Sequence, residues 1–277
     1  MKTPFSSSAG TASPSVGSVV VTGAARGIGR EIAVLMVRRG NQVVVTDVDG
    51  AAARRTADEI GAALGLEQDV RDEASHREVA RQAQQLGPLV AWFNNAGVGN
   101  DGALTELPSA SVEQLVQVNL MGVVWGIRAA VDAFGPSGGD IVNTASLAGF
   151  GPVPGFSVYA ATKAAIVSVS MSGDAETPKN VRVHAVCPDV VQTAMLTEGH
   201  THDSLGSRLA HSGGRILTVD EVAQEAVDLV GSNRVLLSIP RWRGGVVRVS
   251  ALAPSVSKKG MRLFEAMGKR AIAKQSR

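Results

Sequence analysis

The chain has 277 residues, of which 44% are hydrophobic and 19% charged, so it can bury a core as one large domain or at most two. Its single cysteine, Cys187, excludes an intramolecular disulfide and a cysteine-rich zinc site, and it suits a reducing, cytoplasmic compartment. The net charge of +2 is unevenly distributed: residues 241–277 carry ten Lys/Arg and one Asp/Glu, whereas residues 1–240 carry 17 and 24. The C-terminal segment therefore presents a different surface from the body.

The two ends of the chain differ in composition from its middle. Residues 1–16 are rich in Ser, Thr, Ala and Pro without a long apolar run, which predicts a disordered leader rather than a signal peptide. Residues 246–277 are predicted to form a basic, partly helical extension. No stretch approaches a membrane span. We therefore expect one main domain over residues 17–245.

Short runs of β-branched residues alternate with segments of helical periodicity through this domain. The alternation predicts a Rossmann-type doubly wound α/β fold, in which about seven parallel strands carry helices on both faces. The predicted strands are Val19–Thr22, Gln42–Thr46, Gly65–Glu67, Val90–Phe93, Asp140–Thr144, Arg182–Val186 and Arg234–Ser238.

The first strand leads into the glycine turn TGAARGIG and then into a helix. Gly23 allows the tight turn, Gly27 lets the backbone approach a pyrophosphate, and Gly29 lets the helix pack on the strand. The GxxxGxG spacing differs from the general GxGxxG fingerprint, and the absence of a following Lys-Ser/Thr excludes a P-loop. A purely structural turn is the alternative, but the position after the first strand favours a nucleotide site.

Two charges near this turn bear on which dinucleotide would bind. Asp47, at the end of the second strand, can accept hydrogen bonds from ribose hydroxyls and would repel a 2′-phosphate, which favours NAD over NADP. Arg26 argues the other way, because a guanidinium can pair with that phosphate. A solvated Arg26 and an Asp47 that only caps a turn are the alternatives.

Four later residues suggest acid–base chemistry. Tyr159 and Lys163 are four apart on a predicted helix, where the ammonium, together with an oxidised nicotinamide, can stabilise a phenolate and so lower the phenol pKa. Ser146 follows the strand DIVNTAS and can face the crevice beyond the strand ends. Asn119 is a poor helix former inside a helical run, where its side chain can disturb the backbone hydrogen bonds. A surface tyrosine with an incidental lysine, a turn serine and a solvent-facing asparagine are acceptable alternatives singly, but they explain the set of four poorly.

These residues occur in the order and approximate spacing of a known family. Together with TGAARGIG, Asp69-Val70 and NNAG at Asn94–Gly97, they resemble the single-domain short-chain dehydrogenases/reductases over about residues 17–240. The resemblance implies a nicotinamide cofactor and hydride transfer between an alcohol and a carbonyl. It implies that Tyr159 is the acid/base and that Ser146 hydrogen-bonds the substrate oxygen. It also implies that Lys163 holds the nicotinamide ribose and that Asn119 supports a water relay to this lysine.

The cofactor site is expected to combine the glycine turn with the ends of the following strands. The motif CPDVVQT, from Cys187 to Thr193, departs from the family's Pro-Gly-x-Val-x-Thr turn, because Asp189 replaces glycine and should restrict the turn. Other motifs have structural alternatives: Asp69 and Val70 can cap the next helix, and NNAG can simply close a strand. The predicted cofactor-binding residues are Gly23, Arg26, Gly27, Ile28, Gly29, Asp47, Asp69, Val70, Asn95, Ala96, Gly97, Tyr159, Lys163, Pro188, Val191 and Thr193.

The substrate is harder to predict. A mainly apolar pocket rim suggests a lipophilic or bulky alcohol or ketone, although the same side chains can simply pack their loops. Residues 189–214 are predicted to form a lid, whose His200, His202 and His211 we interpret as polar lid residues rather than metal ligands, so no metal is expected. The predicted rim residues are Leu147, Phe150, Pro152, Val153, Phe156, Met195 and Leu196.

The basic tail has several possible uses. It can pack on its own body, cover the pocket or a partner subunit of a homo-oligomer, or contact an anionic membrane; we favour subunit or pocket packing over membrane contact. Nucleic acid is not an expected partner. A non-catalytic nucleotide-binding regulator and a membrane-associated structural protein are the other function classes, but neither explains the four candidate catalytic residues. The tail's predicted apolar stripe is Leu263, Phe264, Met267 and Ala271, and its basic face is Lys258, Lys259, Arg262, Lys269 and Arg270.

Overall fold

The computed structural model describes residues 16–100, 102–193, 215–251 and 270. Seven parallel strands form one sheet in the order β3-β2-β1-β4-β5-β6-β7, which confirms the predicted fold class. The strands are β1 Ser18–Thr22, β2 Gln42–Asp47, β3 Leu64–Glu67, β4 Leu89–Asn94, β5 Gly139–Thr144, β6 Val181–Pro188 and β7 Leu236–Ile239. The α-helices are α1 Gly27–Arg38, α2 Gly50–Ile60, α3 Glu73–Leu86, α4 Ser109–Val116, α5 Gly122–Ala133, α6 Ser157–Glu176, α7 Val219–Val227 and α8 Arg241–Ala251.

Each face of the sheet is covered by its own set of helices. In β1, Val19 and Val21 pack into one apolar cluster and Val20 into the other, because successive side chains of a strand point to opposite faces. All three valines are fully buried, as expected for a parallel sheet covered on both sides. Helices α1, α2 and α7 contribute to the first cluster, and α3, α5 and α6 contribute to the second.

All seven predicted strands are present, and among their first residues that of β7 was predicted least accurately. The structure begins β7 at Leu236, two residues later than predicted. The carbonyl oxygen of Arg234 lies 2.6 Å from Nδ1 of His184, so it interacts with a side chain instead of the neighbouring strand. The pairing of β7 with β6 starts at Leu236. Periodicity alone does not reveal this local competition.

The strand order reverses between β1 and β4, since the chain adds β2 and β3 on one side and β5 to β7 on the other. In a doubly wound sheet, the carboxyl ends of the strands at this reversal diverge and leave a crevice that accepts ligands. Thr22 ends β1 and Asn94 ends β4. The glycine turn therefore lies at the position where this fold places a ligand.

Helices α4 and α5 continue into one another through a π-helical turn, Gln117–Met121. The combined segment, Ser109–Ala133, is long and apolar enough to cross a membrane, since an 18-residue window within it has a mean hydropathy of 1.2, so the prediction that no stretch approaches a span was wrong here. Length and composition alone are weak evidence of a span. Leu115, Val123 and Ile127 of this segment are buried within the protein, which is typical of a core helix.

Helix α8 crosses the boundary predicted between residues 245 and 246. Its Gly244 packs so closely on Ser238 of β7 that a Cβ at this position would overlap that side chain. The predicted stripe and basic face of the tail lie outside the described residues, except for Arg270, which is exposed.

A largely buried ionic network joins β5 to β6. Asp140 accepts hydrogen bonds from Nε and Nη2 of Arg182, at 2.7 and 2.8 Å, and lies 2.9 Å from Nε2 of His184. Burial opposes ionisation of this carboxyl, but the hydrogen bonds from His184 and Arg182 outweigh it and hold the pKa of Asp140 below its ordinary value. Both ring nitrogens of His184 lie within hydrogen-bonding distance of an oxygen atom, the Arg234 carbonyl and the Asp140 carboxylate.

We expect Asp140→Asn to lower the free energy of unfolding at pH 7 by about 2–4 kcal/mol, because the Arg182 guanidinium loses its negatively charged partner and one of its two acceptor oxygens becomes an NH2 group. A carboxyl with a lowered pKa in the folded state stabilises the fold at pH values above its unfolded pKa, which is near 4. This stabilisation is lost as the pH falls through the pKa of the folded state. The deficit of the variant should therefore shrink as the pH is lowered below about 4. Urea unfolding across pH measures it, with Asp58→Asn on the exposed side of α2 as the control. A deficit that does not change with pH would contradict the assignment.

Candidate active site

The glycine turn combines close packing with one open position. Gly23 and Gly27 have positive φ values of 60° and 61°. A Cβ on Gly23 would lie 2.6 Å from Cα of Ala96, and a Cβ on Gly29 would lie 2.5 Å from the Gly23 carbonyl oxygen, so both positions exclude larger residues. Among the described residues, a Cβ on Gly27 would meet only Cγ2 of Thr193, at 3.9 Å. Gly27 therefore faces the open space that a pyrophosphate would need.

The amino end of α1 offers donors to an anion. Its N-cap residue, Arg26, makes no side-chain capping hydrogen bond, and the first turn contains no acidic residue. The first backbone N–H groups of a helix have no intrahelical partner and carry partial positive charge. Together with the open face of Gly27, this end of the helix fits a dinucleotide pyrophosphate.

The turn after β4 holds the glycine turn in place. The hydroxyl of Thr22 accepts hydrogen bonds from the backbone N–H groups of Asn95 and Ala96, both at 3.1 Å. The side-chain amide of Asn95 donates to the carbonyl oxygens of Thr22, at 3.2 Å, and Gly23, at 3.1 Å. Sequence reasoning missed Thr22, whose one signal was a hydroxyl at the end of an otherwise apolar strand.

Asp47 lies beside the same turn. Its Oδ2 accepts from the backbone N–H of Ala25 at 3.2 Å, and its Oδ1 accepts from that of Asp49 at the same distance. These bonds fix the carboxylate at the end of β2. Each oxygen keeps a second lone pair, so Asp47 can still accept a hydrogen bond from a ribose hydroxyl.

Asp69 and Val70 follow β3 but do not cap the next helix. The N-cap of α3 is Asp72, which accepts from the backbone N–H of Ala74 at 2.9 Å, so the capping alternative for Asp69 and Val70 was wrong. Asp69 instead pairs with Arg71 at 2.6 Å, and the hydrogen bond from this guanidinium lowers the pKa of Asp69. Val70 is buried.

Ser146, Tyr159 and Lys163 come together at the carboxyl ends of β5 and β6. Lys163 is 5% exposed, and its Nζ donates to the carbonyl oxygen of Thr144 at 2.8 Å. The same Nζ lies 5.6 Å from the centre of the Tyr159 ring, and the Ser146 side chain is near enough to the Tyr159 hydroxyl to lower the pKa of that phenol. Ser146 also donates to the Pro188 carbonyl at 3.4 Å, which links the group to the turn after β6.

Burial dominates the titration of this group. It lowers the pKa of Lys163 to about 8 and raises the pKa of Tyr159, an increase that the nearby Ser146 side chain partly offsets. In the protein without cofactor, the cost of desolvating a phenolate therefore prevails. One N–H of the Lys163 ammonium donates to Thr144, and the expectation that this ammonium and an oxidised nicotinamide together lower the pKa of Tyr159 stays a prediction.

Asn119 lies in the π-helical turn between α4 and α5, as expected of a residue that disturbs the helical hydrogen bonds. It is fully buried, which rules out the solvent-facing alternative. Its Oδ1 accepts from the N–H of Val98 at 2.8 Å, and its Nδ2 donates to the carbonyl of the same residue at 2.9 Å. A Cβ on Gly97 would lie 3.3 Å from Asn119 Oδ1 and 3.6 Å from Lys163 Nζ, so both side chains border the space beside Gly97.

Buried polar side chains that the sequence did not reveal brace the central strands. The indole of Trp92 donates to Oδ1 of Asn94 at 2.8 Å, and Nδ2 of Asn94 donates to Oδ1 of Asn143 at 2.8 Å. Asn143 in turn donates to Ser170 of α6 at 3.0 Å. This chain connects β4 and β5 to the helix that carries Tyr159.

The turn after β6 accommodates its aspartate without strain. None of the described non-glycine residues has a positive φ, so Asp189 adopts no left-handed backbone conformation here. Its carboxylate forms an ion pair with Nε of Arg243 in α8, at 2.7 Å. Val191 pairs with Leu217 in an isolated parallel bridge, and Thr193 faces Gly27.

The apolar rim is described only in part. Phe156 contacts the Tyr159 ring edge to face, with centroids 6.1 Å apart, and the guanidinium of Arg248 lies 4.1 Å from the centre of the Phe150 ring. Met195, Leu196 and the three histidines of the predicted lid lie outside the described residues. Within the described part of the chain, no cluster of His, Cys, Asp and Glu side chains is placed to hold a metal ion.

Comparison with known proteins finds similar chains by family model, by sequence and by fold. Residues 17–204 match the family model described as short chain dehydrogenase. The chain is 36% identical over 196 residues to the probable oxidoreductase EphD of Mycobacterium tuberculosis, a match that covers 66% of this chain but only 32% of EphD. It is 33% identical over 215 residues to carbonyl reductase family member 4 of Xenopus tropicalis, covering 76% of this chain and 90% of that protein.

A solved short-chain dehydrogenase/reductase from Burkholderia phymatum, in complex with NAD, superposes with a TM-score of 0.78 at 27% identity. The superposition covers 88% of this chain and 96% of that one. Fold, motif order and family match agree, and the chain belongs to the short-chain dehydrogenase/reductase family of oxidoreductases.

Proposed function

We propose that this oxidoreductase uses NAD to interconvert a lipophilic alcohol and its carbonyl compound, with Tyr159 as the acid/base. The observation that carries the proposal is the meeting of Ser146, Tyr159 and the buried Lys163 at the same sheet edge as the open glycine turn. A nicotinamide cofactor, when bound, supplies the hydride acceptor or donor. The matches to a carbonyl reductase and to an NAD complex support this reaction class.

The residues around the glycine turn would hold the cofactor. Gly27 and the first N–H groups of α1 would receive the pyrophosphate, while Asp47 would receive the adenosine ribose. The turn from Pro188 to Thr193 reaches from Ser146 to Gly27, so it would line the nicotinamide half.

The proton is handled by Tyr159. Its phenol oxygen would take the proton from the substrate hydroxyl during oxidation and return it during reduction, while Ser146 orients the substrate oxygen. The ammonium of Lys163, already largely buried, would favour the phenolate electrostatically and hold the nicotinamide ribose. Asn119 fixes the backbone at Val98, close to this lysine.

Asp47 supports NAD over NADP. Its carboxylate is held by two backbone N–H groups and so cannot swing away from an incoming 2′-phosphate without losing both bonds. Arg26 is exposed at the entrance to the turn, where it can pair only partly with such a phosphate. The partly buried Phe150, Val153 and Phe156 support a lipophilic substrate.

Replacing Tyr159 with phenylalanine should reduce turnover by about 10² or more, because the proton can no longer be transferred. NADH affinity should stay within about threefold, since the ring that packs beside Lys163 is kept. Steady-state kinetics over a panel of alcohols and ketones, with NADH titration, measures both quantities. Met171→Leu, on the exposed side of the same helix, is the control. Near-normal turnover would reject the assignment, and NADH binding by the wild type without any turnover would indicate a nucleotide-binding regulator.

Replacing Asp47 with serine should improve the use of NADP relative to NAD, because repulsion of the 2′-phosphate is relieved and Arg26 can contribute attraction. The ratio of kcat/KM for the two cofactors should shift by about tenfold or more. Both cofactors are compared at a fixed substrate concentration, with the exposed Asp58→Ser of α2 as a control for loss of a surface charge. A wild-type preference for NADP, or an unchanged ratio in the variant, would show that Asp47 does not select the cofactor.

A further inference from the structure

Asp189 and Arg243 form an ion pair that the reaction chemistry does not use. The distance from Arg243 Nε to Asp189 Oδ2 is 2.7 Å, and their side chains are only 14% and 10% exposed. A charge pair removed from water in this way is costly to break, because either partner alone is left as an uncompensated buried charge. The pair joins the turn after β6 to α8, which the chain adds at the end of the described domain.

The turn that carries Asp189 spans the gap between the catalytic group and the glycine turn. At one end, the carbonyl of Pro188 accepts from Ser146 at 3.4 Å, and at the other end Thr193 is the nearest neighbour of the open position at Gly27. The cofactor must cross this gap if its pyrophosphate lies at Gly27 and its reactive ring lies beside Tyr159. The conformation of the turn therefore sets where the nicotinamide half can lie.

Backbone hydrogen bonds hold this turn on the side of α7. Leu217 donates to the Val190 carbonyl at 2.8 Å and accepts from the N–H of Gln192 at 2.9 Å. The Asp189 N–H donates to the Ile239 carbonyl of β7 at 2.8 Å. The ion pair between Arg243 and Asp189 adds a side-chain contact from α8 to this turn. Unlike the backbone hydrogen bonds, it joins two charged groups.

Helix α8 is itself fixed against the catalytic loop. Gly244 packs against Ser238 and lies close to Leu147, and Val247 lies against Gly151. The Arg248 guanidinium stacks on the Phe150 ring. Helix α8 therefore contacts the loop that follows Ser146 on one side and holds the turn of Asp189 on the other.

We propose that Arg243 is a positioning residue, which acts through Asp189 to hold the turn from Pro188 to Thr193 against the nicotinamide half of the cofactor. The inference rests on the proposed function, because it requires a dinucleotide at the glycine turn. Arg243 lies far along the chain from every family motif. The proposal therefore adds α8 to the elements that position the candidate active site.

The test compares two ligands, NADH and ADP-ribose. ADP-ribose carries the adenosine and pyrophosphate but lacks nicotinamide, so its binding depends on the glycine turn and Asp47 and meets the turn of Asp189 only at its Thr193 end. We expect Arg243→Met to weaken NADH by about tenfold or more and to leave ADP-ribose within about twofold. Isothermal titration calorimetry measures both dissociation constants without requiring a known substrate.

A double-mutant cycle shows whether Arg243 acts through Asp189. In the background of Asp189→Asn, which keeps the shape of the side chain without its charge, Arg243→Met should change NADH affinity by less than about twofold. Arg243→Lys keeps a cation and should fall between the wild type and Arg243→Met, and it remains informative if the methionine variant does not fold. Arg241→Met, an exposed arginine of the same helix, should behave as the wild type.

Each outcome bears on a different statement. Equal weakening of NADH and ADP-ribose would mean that Arg243 supports the fold in general, and unchanged NADH affinity would mean that it has no positioning role. If Arg243→Met changed NADH affinity equally in the wild type and in Asp189→Asn, Arg243 would not act through Asp189. Any of these results overturns the inference while the proposed function stands. A wild-type protein that binds neither ligand would overturn the proposed function and the inference together.

Discussion

The active site depends on the contact between the turn that leaves β1 and the turn that leaves β4. Thr22 accepts two backbone hydrogen bonds across this contact, and Asn95 returns two from its side chain. The approach is so close that Gly23 and Gly29 admit no side chain. Because the strand order reverses here, the two turns fix the walls of the crevice, and the open face of Gly27 is left between them.

In the rest of the site, burial of Lys163 and Tyr159 sets their pKa values. Lys163 loses most of its hydration beside Thr144, and its pKa falls to about 8. Tyr159 is desolvated in the same place, which raises the pKa of its phenol. The protein alone therefore keeps the phenol protonated, and an added positive charge is what would make it a better base. In this account, the positively charged oxidised cofactor and the proton acceptor act as a unit.

Much of this arrangement follows from local sequence pattern. Continuous valine runs predicted the buried parallel strands, and the four-residue spacing of Tyr159 and Lys163 placed both on one helix face. Asn119 was expected to disturb its helix, and it lies in a π-helical turn. These signals are readable because each depends on residues close together in the chain.

The features that sequence reasoning missed depend on partners distant in the chain or on backbone atoms. The acceptor of Lys163 is the carbonyl of Thr144, and every residue type offers such a carbonyl. The pairing of Asn94 with Asn143 becomes apparent only when β4 and β5 lie side by side. Asp189 was interpreted as a constraint on its turn because its partner, Arg243, lies on a helix beyond the family motifs.

A crystal structure of the protein with bound NAD is the most direct test of whether the dinucleotide lies between the glycine turn and Tyr159. We expect the pyrophosphate at Gly27 and the amino end of α1, the hydroxyls of the adenosine ribose at Asp47, and the nicotinamide ring beside Tyr159. The reacting carbon should then be open to a substrate whose oxygen lies about 3 Å from the Tyr159 hydroxyl. A dinucleotide bound away from the β1–β4 crevice, or a nicotinamide ring that points away from Tyr159 and Lys163, would contradict it.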